Sequence, residues 1–350
     1  MTSYQITEWG KPLVENHYMT PEPIGTEVLM RVTTCGVCHS DIHIRDGFFD
    51  MGHGEQRRLS ELGVELPLTL GHEPVGEVAA VGPDVSGVSV GDRRVVWPWV
   101  GCRNCAACLS EEDILCERGR FLGARVDGAY SDYMLVPHPR YLLSYEGVEE
   151  SVAATYACAG ITSYAALKRA VGGLTADDTL LLVGAGGLGT SGLRIAPAVT
   201  TASIIVADTD PAKRDLALEL GAAQVIDNSD PDAATKLREQ TGGVAASVDF
   251  VGMPQTTMFA IDTLRRSSTH VVVGLFGGAL DIAMPNLIYK LLSLRGSHVG
   301  TPQDLAELID LRRAGKIEPP PIAERPLSEA NEVLTALTDG RVSGRLVLKP

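Results

Sequence analysis

Residues 179–196 read TLLLVGAGGLGTSGLRIA, and this stretch decides the fold of the second half of the chain. Residues 180–183 form an apolar run typical of a buried strand, and a glycine-rich segment with the spacing G-x-G-x-x-G follows at once. Glycines at this spacing allow a tight turn, the close approach of a pyrophosphate and close packing of the next helix. Backbone amides at the start of that helix then face the phosphates. We therefore predict a dinucleotide-binding segment whose contact residues are Gly184, Gly186, Gly187, Leu188 and Gly189.

An acidic residue follows this segment at the spacing that a dinucleotide site requires. Asp208 ends a second apolar run, residues 204–207, and lies about 20 residues beyond Gly189. Its carboxylate can accept hydrogen bonds from an adenosine ribose, and its charge would repel a 2′-phosphate. We therefore predict NAD rather than NADP as the cofactor. The alternative is that Asp208 is an ordinary surface aspartate in a turn.

The pattern of the remaining sequence differs between the two halves. From about Ser151, short apolar runs alternate with helix-compatible segments, which is the pattern of a parallel sheet covered on both faces. Residues 1–150 instead contain β-branched runs separated by Gly, Pro and Asp, which predicts a compact β-rich domain. The tail from about Thr301 adds two helices and a final strand. The chain is therefore predicted to be an α/β protein.

Composition narrows the class of protein further. A length of 350 residues suits two domains, and 45% hydrophobic residues with 21% charged residues exclude a disordered chain. The net charge of -14, without a basic patch, argues against nucleic acid or an anionic membrane as the partner. The sequence contains neither an apolar run of about 20 residues nor an amino-terminal signal pattern, so we expect a cytoplasmic protein. Thiols stay reduced in that compartment.

Four of the seven cysteines lie within fifteen residues. They have the spacing C-x2-C-x2-C-x7-C in a turn-rich segment, and they are Cys102, Cys105, Cys108 and Cys116. Four thiolates can complete a tetrahedron around one zinc ion and leave no position open, which is typical of a structural site. An iron–sulfur cluster also accepts four thiolates, but no other feature indicates electron transfer, so we favour zinc.

Two shorter motifs carry further metal-ligand residue types. They are GVCHSD at residues 36–41 and GHE at residues 71–73. Each is too short to assign alone, because a single Cys or His is more often a packed core residue than a ligand. Their order along the chain is more specific: GVCHSD, GHE, the four-cysteine segment, CAGITSY at residues 158–164, and GAGGLG with its following aspartate. This order resembles the zinc-dependent medium-chain alcohol dehydrogenases over nearly the whole chain.

The resemblance implies a domain organisation. A β-rich GroES-like catalytic domain would span residues 1–159 and include a structural-zinc lobe at about 101–117. A Rossmann doubly wound parallel-sheet domain would span residues 160–298 and bind NAD, and residues 299–350 would return to the catalytic domain. The resemblance also implies a homo-oligomer in which dimers join edge to edge through their nucleotide-binding sheets. A tetramer is favoured, and a dimer is the alternative.

The resemblance further implies a second zinc ion, which would be catalytic. Its ligands would be Cys38, His72 and Cys158, and the fourth position would stay open for a substrate oxygen. Glu73 would lie beside the metal and approach it as water and substrate exchange, and Asp41 would orient His72. Cys35, the seventh cysteine, has no role in the family, and we interpret it as a buried thiol.

The implied reaction is reversible hydride transfer between a small-molecule primary or secondary alcohol and NAD, which yields an aldehyde or ketone. Ser40 would take the proton from the alcohol and pass it through the nicotinamide ribose to His43. The alternative for His43 is an ordinary surface histidine. Polyol, aryl and terpene alcohol dehydrogenases stay open as alternatives in the same family. A non-catalytic dinucleotide-binding protein is a remote alternative, because it should lack some of the ligands or the proton relay.

Other cofactor and substrate contacts are implied residue by residue. His39 would face the pyrophosphate, Thr162 would pack on the nicotinamide, Lys213 would lie near the adenosine ribose and Arg345 would reach the phosphates. The residues expected to line the nicotinamide side are Gly252, Val273 and Leu275. Trp97 or Trp99 would form a wall of the substrate pocket, with packing of the zinc lobe as the alternative.

The segment of residues 44–70 is longer than in compact family members and can shape substrate preference or an oligomer contact. It includes His53, which we interpret as a solvated loop histidine.

Overall fold

The first half of the chain is mostly β-structure in the computed structural model, which describes residues 1–342 and 344–350. Its strands are β1 (Thr2–Ile6), β2 (Val14–His17), β3 (Val28–Gly36), β4 (Phe48–Gly52), β5 (Glu55–Arg58), β6 (Leu68–Thr69), β7 (Glu73–Val81), β8 (Arg93–Val96), β9 (Tyr133–Val136) and β10 (Leu142–Leu143). Its helices are α1 (His39–Asp46) and α2 (Ala106–Leu109), with 3-10 turns at Leu59–Leu62, Asp113–Leu115 and Pro139–Tyr141.

In the second half, helices and strands alternate. The strands are β11 (Thr179–Val183), β12 (Ser203–Ala207), β13 (Gln224–Ile226), β14 (Val244–Asp249), β15 (Leu264–Val272), β16 (Ser293–Gly296), β17 (Ile322–Pro326) and β18 (Arg345–Lys349). The helices are α3 (Glu150–Thr155), α4 (Ile161–Ala170), α5 (Gly187–Val199), α6 (Pro211–Glu219), α7 (Ala233–Thr241), α8 (Pro254–Thr263), α9 (Met284–Lys290), α10 (Pro302–Arg313) and α11 (Ala330–Thr338). A π-helical turn, Tyr156–Gly160, joins α3 to α4, and a 3-10 turn at Leu327–Glu329 precedes α11.

Strand β3 lies at the centre of the sheet of the first half. This sheet has the order β10-β8-β7-β3-β18-β17, and β9 also pairs with β3. The antiparallel register of β3 and β7 places Gly36 opposite Glu73. The segment that follows β3 and the segment that precedes β7 therefore meet at one end of the sheet. The last strand, β18, pairs with β3 at the same end, with Val347 opposite Gly36. The tail therefore returns to the first sheet, beside the two short metal-ligand motifs.

A six-stranded parallel sheet forms the second layered unit, in the order β13-β12-β11-β14-β15-β16. The direction of winding reverses between β11 and β14, and open α/β sheets bind ligands at such a switch point, beyond the carboxyl ends of the strands. Leu180, Leu181 and Leu182 of β11 are fully buried, as expected for a strand covered on both faces. The predicted fold class, a Rossmann-type doubly wound sheet with a β-rich second unit, is confirmed.

Helices α3 and α4 form one continuous helical segment, residues 150–170, through the π-helical turn. The expected domain boundary between residues 159 and 160 falls inside this segment, so the proposed division into 1–159, 160–298 and 299–350 stays a prediction. The turn contains Cys158, and π-helical turns within α-helices occur frequently at functional sites.

Residues 44–70 complete α1 and then form an antiparallel hairpin. Phe48 of β4 pairs with Arg58 of β5, and a 3-10 turn and β6 follow. The hairpin reaches the segment after β15, where the Gly278 amide donates a hydrogen bond of 3.4 Å to the Asp50 carbonyl. His53 is exposed, as predicted. Within the described chain, no helix has the length and apolar character needed to cross a membrane.

Candidate active site

Three buried residues of metal-ligand type converge at the end of the sheet where β3 ends and β7 begins. Cys38 precedes α1, His72 precedes β7 and Cys158 lies in the π-helical turn. One potential ligand atom from each lies within 4.8 Å of the other two, and the two Sγ atoms are 3.9 Å apart. Two thiolates on a tetrahedral zinc would be about 3.8 Å apart for a Zn–S bond of about 2.3 Å. The residues therefore fit a zinc ion with one position open.

The imidazole of His72 is oriented by a buried carboxylate. Nδ1 of His72 lies 3.0 Å from Oδ1 of Asp41, so Nε2 faces the thiols. Asp41 Oδ2 accepts hydrogen bonds from the Cys38 amide at 2.9 Å and from the Tyr130 hydroxyl at 3.0 Å. Such a carboxylate fixes the ring orientation of a metal-binding histidine. Hydrogen bonds with Cys158 and His72 lower the pKa of the Cys38 thiol, which favours the thiolate that a metal needs.

Ser40 and His43 lie on the same helix, α1, which starts directly after Cys38. The Ser40 hydroxyl is 3.1 Å from both the Cys38 Sγ and the His72 Nε2, so it lies directly beside the potential ligand atoms. The ring of His43 lies 5.4 Å from that of His39. Burial lowers the pKa of both histidines, so both imidazoles are predominantly neutral at neutral pH.

Glu73 follows His72 in the sequence and forms a buried ion pair with Arg345 of β18. The Arg345 guanidinium donates through Nη2 to both carboxylate oxygens, at 2.6 Å to Oε1. Burial raises the pKa of Glu73 to about 7, and Arg345 opposes this effect. A Cβ on Gly187 would lie 3.4 Å from Arg345 Nη1, so the same guanidinium also reaches the glycine-rich segment. Arg345 therefore connects the metal-ligand cluster to the predicted phosphate site.

The glycines after β11 have three different environments. Gly184 has φ +90°, a conformation that favours glycine and turns the chain sharply. A Cβ on Gly189 would overlap the Gly184 carbonyl oxygen, so this glycine allows close packing of α5 on the turn. A Cβ on Gly186 would meet no atom of the described residues within 4 Å, which leaves open space where a phosphate would bind. These environments match the three functions of a dinucleotide-binding turn.

Asp208 lies at the carboxyl end of β12 and contacts this turn. Its carboxylate accepts hydrogen bonds from the Ala185 amide at 2.7 Å and the Asp210 amide at 2.9 Å. Lys213 is exposed on α6. Thr162 is buried, and its hydroxyl has no hydrogen-bond partner in the described chain, which fits a polar group of a bound cofactor.

Two family models match the sequence. One, described as "Alcohol dehydrogenase GroES-like domain", matches residues 25–145, and the other, described as "Zinc-binding dehydrogenase", matches residues 187–313. An NAD-dependent alcohol dehydrogenase of Sulfurisphaera tokodaii is 38% identical over 353 residues, with 100% of both chains covered. The chain belongs to the zinc-dependent medium-chain alcohol dehydrogenases. It is an oxidoreductase of this family, and the predicted family and NAD-dependent enzyme class are confirmed.

Three further proteins are similar to this chain over its whole length. An NAD-dependent alcohol dehydrogenase of Saccharolobus solfataricus is also 38% identical, over 100% of both chains. The solved alcohol dehydrogenase of Aeropyrum pernix has a TM-score of 0.89 at 32% identity, again over 100% of both chains. The D-arabinose dehydrogenase of Sulfolobus solfataricus has a TM-score of 0.83 at 28% identity and covers 100% of this chain and 99% of its own.

The four-cysteine segment of this family member also forms a compact cluster. Sγ atoms of Cys102, Cys105, Cys108 and Cys116 all lie within 4.8 Å of one another. The separation of Cys102 and Cys108 is 3.9 Å, again near the value for two thiolates on zinc. A hydrogen bond from the Asn104 backbone amide is the main cause that lowers the pKa of Cys102 to about 6. Cys35 is buried, as predicted, and burial raises the pKa of its thiol.

The two tryptophans before this cluster have different positions. Trp97 is fully buried, stacks on Tyr141 at 5.8 Å and donates to the Gly300 carbonyl, so it is a core residue. Of the two tryptophans that the sequence offers for the pocket wall, the burial of Trp97 favours Trp99. Trp99 lies 5.7 Å from the His72 ring and donates to the Ala157 carbonyl, next to Cys158. Its position beside the metal-ligand cluster is compatible with a pocket wall.

The segment after β15, which contains two of the residues expected on the nicotinamide side, packs against Gly252, which follows β14. Val273 is buried and Leu275 is 50% exposed. Gly252 has φ +74°, and a Cβ there would overlap the Gly274 carbonyl oxygen. Phe276, which the sequence did not indicate, lies 5.2 Å from the His39 ring and 6.3 Å from the His43 ring.

The sequence also did not indicate Phe121 and His298. Both rings lie near Trp99, at 5.3 Å and 5.4 Å. Each comes from a segment without a chemical motif, and only the tertiary fold brings the two together. The one sign of this cluster in the sequence is that a histidine, His298, lies in the segment between β16 and α10.

Proposed function

We propose that this chain catalyses reversible hydride transfer between a primary or secondary alcohol and NAD, with a catalytic and a structural zinc ion. The observation that carries the proposal is the buried Cys38, His72 and Cys158 cluster, which fits zinc with an open position. The contact of Arg345 with both Glu73 and the glycine-rich segment supports a single cleft for metal and cofactor. The names of the curated relatives support alcohol and NAD as the reactants.

The residues around the cluster would bind the reactants and move a proton. When bound, zinc polarises the alcohol oxygen and NAD accepts the hydride. Ser40 would accept the alcohol proton, since its hydroxyl lies beside the potential ligand atoms, and the proton would leave towards His43. The lowered pKa of His43 keeps its imidazole neutral and able to accept a proton. Asp41 would hold His72, and the buried hydroxyl of Thr162 would contact the nicotinamide.

The remaining cofactor contacts are proposals of the same kind. His39 and Arg345 would face the phosphates, while Asp208 and Lys213 would contact the adenosine ribose. The nicotinamide side would be lined by Gly252, Val273 and Leu275. Glu73 would move towards the metal only when its ion pair with Arg345 is released.

Zinc content and turnover together test this proposal. We expect about two zinc ions per chain and NAD-linked oxidation in a panel of primary and secondary alcohols, with weaker turnover with NADP. Cys158→Ser should reduce zinc to about one and abolish turnover, while Cys108→Ser should also reduce zinc to about one. Cys35→Ser is the matched control, because Cys35 is buried but lies in neither cluster, and it should retain two zinc ions. One zinc ion and no turnover in the unsubstituted chain would refute the catalytic assignment.

We also propose a homo-oligomer that forms through strand β16. All four residues of β16 are exposed, and β15 is its only partner strand within residues 1–342 and 344–350. Exposed apolar side chains occur in β16 and in the segment that precedes it, α9 and the following turn, and they are Met284, Ile288, Tyr289, Leu291 and Leu294. An open strand edge with apolar neighbours favours pairing with a second copy. Light scattering should give a dimer or, as we favour, a tetramer, and Leu294→Lys should shift the mass towards the monomer.

A cytoplasmic location is part of the proposal. Zinc-binding thiols must stay reduced, and the reducing cytoplasm maintains this state. Fractionation of the native host should recover the protein and its activity in the cytoplasmic extract.

A further inference from the structure

Three rings form a wall beside the metal-ligand cluster. The Trp99 ring contacts the rings of His72, Phe121 and His298, and the Phe121 and His298 rings are 5.8 Å apart. The two separations from Trp99, 5.7 Å and 5.4 Å, place His298 no further than about 11 Å from the His72 ring. Trp99 is buried and Phe121 half-buried, whereas His298 is exposed, so the wall ends in a polar ring open to solvent.

The backbone holds His298 in place. Its neighbours Ser297, Val299 and Gly300 are buried, and the Trp97 indole donates to the Gly300 carbonyl at 3.0 Å. Val299 has φ +41°, a conformation that is strongly disfavoured for a β-branched residue. Such strain persists only where the surroundings impose it, and it concentrates at functional sites. The position of His298 is therefore imposed by the core, although its side chain is exposed.

The charge around His298 is positive. The residues packed around the His298 ring partly desolvate it and lower its pKa, and Arg125 and Arg169 lower the pKa further, so the imidazole is neutral at neutral pH. The Arg125 guanidinium lies 5.0 Å above the Phe121 ring, and Arg169 donates to the Ser297 hydroxyl at 3.2 Å. A neutral imidazole near two guanidinium groups favours a ligand group that offers lone pairs.

We infer that His298 is a specificity-determining residue that selects aryl alcohols with a hydrogen-bond acceptor on the ring. The aromatic ring of the substrate packs against Trp99 and Phe121, and the acceptor meets the imidazole N–H of His298. This inference rests on the proposed alcohol dehydrogenase function, because it assigns the substrate class of the same site. A purely apolar wall would not distinguish an ether oxygen from a methylene group of the same size.

The test uses pairs of substrates that have nearly the same shape. Steady-state oxidation is measured for 3- and 4-methoxybenzyl alcohol and for 3- and 4-ethylbenzyl alcohol with NAD. For each position, the ratio of kcat/KM for the methoxy compound to that for the ethyl compound is compared between proteins. Comparison of ratios between proteins cancels the effect of the substituent on the chemistry itself.

We expect His298→Leu to lower this ratio about tenfold for at least one ring position and to leave kcat/KM for the ethyl compound within about twofold. His298→Gln retains an N–H donor and should recover part of the ratio. This recovery would show that loss of the donor, and not a folding defect, lowers the ratio in His298→Leu. His17→Leu is the control, since His17 is an exposed histidine on β2. Arg125→Met, which removes the charge near the imidazole, should lower the ratio less than His298→Leu.

An unchanged ratio in His298→Leu, with turnover intact, would overturn this inference and leave the proposed function standing. A larger effect of Arg125→Met than of His298→Leu would overturn it as well, because Arg125 would then be the selecting group. Absence of turnover with every alcohol in the unsubstituted, zinc-loaded protein would refute the proposed function and the inference with it.

Discussion

Arg345 and Glu73 form a buried, forked ion pair between residues that are far apart in the sequence. Arg345 begins β18 and Glu73 begins β7, and both strands flank β3 in the first sheet. A Cβ on Gly36 would overlap the Glu73 carboxylate, so glycine at this position leaves room for the pair. The pair neutralises a carboxylate directly beside the cluster of Cys38, His72 and Cys158 and also holds the guanidinium at the glycine-rich segment.

Removal of one partner of this ion pair should lower the free energy of unfolding more than removal of both partners. Arg345→Leu leaves a buried carboxylate unpaired, and we expect the free energy of unfolding to fall by about 3–5 kcal/mol. The double variant Arg345→Leu/Glu73→Leu should be less destabilised than Arg345→Leu alone. Urea denaturation of the zinc-loaded proteins checks this order. Additive losses from the two single substitutions would contradict the coupling of the two residues.

Two alanine substitutions in the glycine-rich segment should have different effects. Gly189→Ala places a methyl group against the Gly184 carbonyl oxygen and should lower Tm as well as weaken NAD binding. Gly186→Ala projects a methyl group into open space and should leave Tm within about 1 °C, while it raises the Kd for NAD at least tenfold. Calorimetric titration with NAD and thermal unfolding measure both quantities. Unchanged NAD affinity in Gly186→Ala would remove this turn from the phosphate site.

Substitution of Asp208 should change the choice of cofactor. Its charge would repel a 2′-phosphate, so Asp208→Asn should raise the NADP to NAD ratio of kcat/KM about tenfold or more. Asn retains an acceptor for the Ala185 amide, whereas Asp208→Gly removes it and should also loosen the turn. Asp215→Asn on α6, an exposed change of the same charge, is the control. Equal ratios in Asp208→Asn and in Asp215→Asn would exclude a specific role for Asp208.

The buried histidine of β15 should make stability depend on pH. His270 is fully buried, the Ser247 hydroxyl is 2.8 Å from its Nδ1, and burial lowers its pKa to about 4. The unfolded chain therefore binds a proton near pH 6.5 that the folded chain does not bind until about pH 4. Its contribution is fully present above pH 6.5 and is lost as the pH falls, by on the order of 3 kcal/mol at pH 4.

Urea denaturation between pH 4 and pH 7 measures this dependence. His270→Gln should flatten it relative to the unsubstituted protein, and His53→Gln, a change at an exposed histidine, should not. Parallel curves for His270→Gln and the unsubstituted protein would show that other groups cause the acid sensitivity.

The sequence predicts those parts of the site whose chemistry depends on local spacing. The glycine-rich turn and the four-cysteine cluster are each contained in one short segment, so their residues can be assigned before the fold is known. The ion pair of Arg345 with Glu73 depends on strand order, which local spacing does not specify. Trp97 and Trp99 are two residues apart with the same composition around them, and only the packing places one in the core and the other beside His72.

The position of β18 beside β3 has a consequence for biosynthesis. The edge of β3 that receives β18 stays open until a segment about 310 residues downstream has been translated. At about 5–20 residues per second, this interval lasts roughly 15 to 60 seconds, during which unpaired N–H and C=O groups of β3 are available to other chains. We therefore expect aggregation during expression to depend on the speed of translation, and a ribosome-associated chaperone to raise the yield.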